Sequence, residues 1–88
     1  MNAEQLLKEM RGYLDELCAL PRGLKLNVRV EPRDGQGDLY KVSIDSVLIR
    51  GLGWVDGGEG ESTTLQGALV KAWAMFMGNV ELKKLFSY

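Results

Sequence analysis

The chain has 88 residues, of which 45% are hydrophobic and 26% charged, the composition of one small folded domain over residues 1–88 and not of a disordered tail. Eleven basic against twelve acidic residues leave a formal net charge of −1, histidine is absent, and Cys18 is the only cysteine. These counts exclude an intrachain disulfide scaffold and remove the commonest general base and metal ligand together.

Leu6, Leu7, Met10, Leu14, Leu17 and Cys18 recur at three-and-four spacing between charged residues, which predicts an amphipathic first helix. Asn2 and Gln5 are spaced to cap its start, and Pro21 with Gly23 must end it. Leu24, Leu26, Val28 and Val30 then alternate with Lys25, Asn27, Arg29 and Glu31, the period of a strand with one apolar face. Residues 32–38 form a hairpin loop whose glycines supply positive φ. A second strand begins at Leu39, and its alternation fails at Val47, Leu48 and Ile49, so the next turn falls either at Asp45–Ser46 or over Arg50–Gly53. We favour a strand to about Ile49, a turn over 50–53 and a third strand through Trp54 and Val55. Gly57, Gly58 and Gly60 are expected to form a flexible loop. Ser62, Thr63 and Thr64 are N-cap candidates, Thr63 and Gln66 being spaced as a capping box. The second helix is expected over about 64–77, with Gly78 as its stop and Asn79 capping a short helical tail through Phe86. The predicted fold is α+β, in the order α-β-β-β-α, with a three-stranded antiparallel sheet and both helices on one face.

This order, with Gly58-Glu59-Gly60-Glu61-Ser62 opening the last helix, resembles the double-stranded RNA-binding domain, whose comparable junction carries small residues, a serine and then paired lysines. The resemblance implies contacts to duplex RNA from that junction, from the first helix and from the first hairpin loop. Thr63 and Thr64 stand where the family has its lysines, the helix alanines Ala68 and Ala72 are out of register, and the hairpin histidine has no counterpart, so the RNA-binding motif is degenerate. Between Arg50 and Lys71 there is no basic residue, while Asp56, Glu59 and Glu61 are present. With a pI near 5.4, the chain lacks the clustered cations from which nucleic-acid affinity derives. The size and order also look like small phage-encoded proteins, including some anti-CRISPR inhibitors, on architecture alone.

Candidate chemistry is sparse. The segment Gly57–Thr64 could cradle a phosphate through backbone amides, but it has no lysine and two glutamates. Asp56, Glu59 and Glu61 could collect calcium, but three carboxylates are few for a cation that takes six to eight oxygens. Cys18 has no histidine to activate it and lies on an apolar stripe, as a structural thiol would. Lys25, Arg29 and Lys41 should project from the open side of the sheet as a modest basic face, interrupted by Glu31 and Asp45.

The chief anomaly is the second helix. From Ser62 to Val80 the only charge is Lys71, with one apolar stripe at Leu65, Ala68, Leu69, Ala72 and Phe76 and another at Val70, Trp73 and Met77. A helix apolar nearly all round is covered on more than one side. Either the tail (Val80, Leu82, Leu85, Phe86, Tyr88) folds back over the second stripe, or Trp73, Met75, Met77, Phe86 and Tyr88 form a patch for a partner or a second copy. The expectation is therefore a non-catalytic interaction protein binding another protein or itself. No cofactor, metal, small-molecule substrate or nucleic acid is expected. The alternative is a diverged duplex binder using Lys25, Arg29, Arg33, Lys41 and Arg50. The first five residues carry no basic side chain, and the uncharged run 72–80 is far shorter than the roughly 20 apolar residues of a membrane span. A cytoplasmic location without membrane attachment is expected.

Overall fold

A computed structural model describes residues 2–17 and 25–86. Its elements are α1 (Ala3–Leu17), β1 (Leu26–Arg33), β2 (Gly37–Ile44), β3 (Val47–Ile49), β4 (Gly53–Val55), β5 (Glu59–Ser62) and α2 (Leu65–Phe86). Cys18, Leu24 and the expected break at Pro21–Gly23 lie outside the described residues. The fold is α+β, as the patterning predicts, with a three-stranded antiparallel sheet in the order β1-β2-β5 and a separate two-stranded hairpin, β3-β4.

The entry to α1 forms as its sequence demands. The Gln5 N–H donates to Asn2 Oδ1 at 2.8 Å and the Asn2 N–H to Gln5 Oε1 at 3.1 Å, a reciprocal cap that satisfies donors the helix itself cannot. The β1-β2 hairpin pairs from Leu26↔Ile44 to Arg33↔Gly37, and its turn is closed by Gly35 and Gly37 at φ 71° and 76°, where a side chain would be strained.

Five expectations are corrected. Both candidate turns exist: β2 stops before Asp45–Ser46, and Gly51 and Gly53, at φ 81°, turn β3 into β4. Trp54 and Val55 therefore belong to the small hairpin, and the third strand of the main sheet is Glu59–Ser62, paired with Tyr40–Ser43. The segment expected as a loop is a strand because Gly58 and Gly60 have no side chain. A Cβ at Gly58 would overlap the backbone of Ala72 and Phe76, and one at Gly60 that of Ala68 and Ala72. Small residues on both sides let helix and strand backbones touch.

The C-terminal tail is helical but continuous with α2, without a break at Gly78. Nothing lies within 4 Å of a Cβ built there, and the residue costs the helix only about 1 kcal/mol, while Phe76 and Val80 on either side are wholly buried and hold the backbone in register. Finally, the cap of α2 is Thr64, one of the three candidates, whose Oγ1 accepts the Gly67 N–H at 3.0 Å; Gln66 sits inside the first turn and Gly67 has no side chain to return the bond, so the expected Thr63–Gln66 box gives way to a one-way cap.

The core is Leu6 and Met10 from α1, Val42 and Ile44 from β2, Ile49 and Val55 from the hairpin, and Ala68, Leu69, Ala72, Phe76 and Val80 from α2. α2 lies over β2 and β5, and α1 packs on α2. Val28 and Val30 share the covered face of the sheet with Val42 and Tyr40, their register partners, yet remain 46% and 49% exposed, because β1 lies beyond the reach of α2.

Candidate interaction surface

α2 sorts the expected partner residues onto different sides. Trp73 is half-buried, edge-on to Tyr13 of α1 at 5.4 Å between ring centroids and tilted against Phe76 at 5.3 Å. Met77 also packs on the core. Trp73 thus brings its part of the second apolar stripe against α1, so the helix is covered on more than one side. Val70 of that stripe stays half-exposed.

Met75 lies on the opposite side, 51% exposed, where its sulfur accepts the Glu59 N–H at 3.4 Å. One turn before it, Lys71 Nζ donates to the Glu61 carbonyl at 3.0 Å. One turn after, Asn79 Nδ2 donates to the carbonyls of Asp56 and Gly57 at 3.0 and 3.2 Å. Residues four apart stack on one helix face, so this row runs along the outer edge of β5 and meets its outward backbone groups. Asn79, expected to cap a separate helix, instead fastens the strand entry.

Phe86 is 85% exposed and Tyr88 lies outside the described residues. The last turns of α2 run on past the core and do not fold back: Leu82 is 53% and Leu85 70% exposed. Beside them Trp54 of β4, 54% exposed, Leu82 and Phe86 line a shallow depression of about 160 Å³, with Val55, Asp56, Asn79 and Lys83 around them. Trp54 escapes sequence reasoning because it reads as a sheet residue.

The open face of the sheet carries the expected basic residues, with acidic ones beside them. Arg29 is exposed and neighbours Lys41, which pairs with Glu31 at 3.1 Å and has Glu61 as its partner on β5. Asn27, Ser43 and Glu59 form the next row, and the two rows line a broad groove of about 640 Å³. Lys25, also exposed, precedes β1. Once β5 is a strand, its two glutamates stand next to the basic pair, so the face is mixed. The phosphate-cradle reading fails for the same reason, since residues 59–62 at the centre of that segment are extended and paired with β2. Among the described residues no three carboxylates or thiols converge on a point, so Asp56, Glu59 and Glu61 do not gather around a cation.

No helix among the described residues is long and apolar enough to cross a membrane. The class that the fold defines is an α-β-β-β-α domain around a three-stranded sheet, consistent with the topology of double-stranded RNA-binding domains, with the β3-β4 hairpin inserted before the third strand. No family model, curated protein or solved structure matches the chain.

Proposed function

We propose that this chain is a non-catalytic interaction protein that acts in the cytoplasm by occupying a surface of another protein, in the manner of small phage- or prophage-encoded inhibitors. The observation that carries the reading is the depression of Trp54, Leu82 and Phe86, left open by a helix that outruns its own core. Burying a leucine or phenylalanine side chain is worth about 1.5–3 kcal/mol, and aromatic anchors in a shallow pocket dominate protein interfaces. The glutamates of β5 beside Arg29 and Lys41 weigh against a nucleic-acid duplex as the partner, since phosphates would meet both signs of charge.

The test is affinity capture from host extract followed by reconstitution with the purified partner, comparing wild type with Leu82→Asp and Phe86→Asp. Each substitution should weaken the reconstituted complex by about tenfold or more while leaving the thermal midpoint nearly unchanged. A complex indifferent to both changes, or specific turnover of a small molecule, would overturn the reading.

A further inference from the structure

β1 is an edge strand of the three-stranded sheet. In an antiparallel ladder, residues alternate between those whose N–H and C=O face the neighbouring strand and those whose groups face away. The Asp45 N–H donates to the Lys25 carbonyl at 3.0 Å, and the Ile44 N–H to that of Gly58 at 2.7 Å. With the register of β1 on β2, this fixes the phase: Asn27, Arg29 and Glu31 bond inward to β2, and the backbone groups of Leu26, Val28 and Val30 point outward. Among the described residues nothing meets them.

Of the usual protections of an edge, a bulge and a central proline are missing over this stretch, and the charges of Lys25, Arg29 and Glu31 lie on its open side only. The pairing runs from 26 to 33 without a bulge, Pro32 lies at the far end, and Val28 and Val30 are half-exposed beside the bare backbone. We infer that β1 pairs antiparallel with β1 of a second copy across a twofold axis at Val28, joining the two sheets into one.

The register follows from the chemistry of the edge. A twofold centre can fall on an outward-facing residue, Leu26, Val28 or Val30, or on an inward-facing one between them, as a non-hydrogen-bonded pair. Centring on Asn27 sets Lys25 against Arg29 twice and centring on Arg29 sets the two Arg29 side chains against each other, and like charges directly opposite disfavour both. Centring on Val30 sets Val28 against Pro32, which has no N–H to give. Centring on Leu26 leaves Lys25 opposite Asn27, without an opposite charge. Centring on Val28 sets Leu26 against Val30 twice on the apolar side, and on the open side Lys25 against Glu31 twice. Opposite charges directly across a strand pair favour that register. An isologous contact of this kind closes at two copies, and its small area makes it a reversible, concentration-dependent dimer.

Sedimentation of the full chain from micromolar to millimolar concentration should show a monomer–dimer equilibrium, with amide protection of Leu26, Val28 and Val30 rising alongside it. Val28→Lys should raise the dissociation constant at least tenfold by placing like charges on the axis, with circular dichroism confirming the fold. Lys25→Glu and Glu31→Lys should each weaken the dimer, and the double swap should recover it relative to either single change. That rescue separates this register from any other and does not depend on Val28→Lys folding. A chain monomeric at millimolar concentration, or a dimer lost in Phe86→Asp but intact in Val28→Lys and both charge variants, would overturn the inference. Partner binding through Trp54, Leu82 and Phe86 is read with different variants, so either proposal can fail alone.

Discussion

On β5 and its entry the Glu61 carbonyl, the Glu59 N–H and the Gly57 carbonyl are met by Lys71, Met75 and Asn79 of α2, whereas along β1 the outward groups of Leu26, Val28 and Val30 meet no partner among the described residues. The difference lies in side chains more than in strands. Gly58 and Gly60 let α2 come down onto β5 until its backbone touches the strand, and a row of side chains four residues apart then reaches over the edge. β1 carries Leu26, Val28 and Val30 on the same face, and no helix backbone can approach a valine so closely. A sheet edge is closed here by giving up side chains and left open by keeping them.

The contrast can be broken most severely at Gly60. Gly60→Ala puts a methyl group into the backbone of Ala68 and Ala72, where neither strand nor helix can yield, and should cost upward of about 3 kcal/mol. That is a large share of the roughly 5–15 kcal/mol that holds a domain together; loss of near-ultraviolet dichroism and of the cooperative melt would report it. Asn79→Ala removes two donors from the carbonyls of Asp56 and Gly57 and should cost about 1–2 kcal/mol, with faster amide exchange over residues 57–61 as its local sign. Thr64→Ala deletes the α2 cap and should lower the urea midpoint by the equivalent of about 1 kcal/mol, fraying the first turn without exposing the edge. The smallest effect belongs to the open edge. Val30→Thr, at a half-exposed site, should change monomer stability by no more than about 0.5 kcal/mol; if it melts the protein as much as Asn79→Ala, the two edges are not finished differently after all.

The parts of the fold legible in sequence are those in which side chains advertise their own environment. The Asn2–Gln5 pair bonds in both directions, the alternation of 24–31 and 39–44 places β1 and β2, and the near absence of charge over residues 62–80 matches the covered part of α2. β5 escapes because its inward residue is Gly60: the strand period is present as Glu-Gly-Glu, but a position filled by a neighbouring helix backbone has no apolar side chain to count. Gly78 misleads in the opposite sense, since its helix-ending tendency is weaker than the burial of Phe76 and Val80. Of the expected partner residues, Phe86 and Met75 are on the surface, while Trp73 is drawn inward against Tyr13 of α1 and Met77 against the core. A stripe of aromatic and methionine residues looks the same in sequence whether a partner or the first helix covers it. Nothing in the pattern links Trp54 to Leu82 and Phe86, because that adjacency exists only once the β3-β4 hairpin is placed beside the last turns of α2.

The packing of α1 on α2 also sets an order in time. Tyr13 meets Trp73, and Leu6 and Met10 share a core with Leu69, Phe76 and Val80, so α1 leaves the ribosome well before the helix that covers it. At about 5–20 residues per second, the apolar stripe of α1 waits several seconds for that cover, while the β1-β2 hairpin, whose contacts are local, can close at once. In the nascent chain the stripe of Leu6 and Met10 is thus a ligand for whatever chaperone stands nearest, and a protease pulsed during synthesis should cut within residues 3–17 until α2 has emerged.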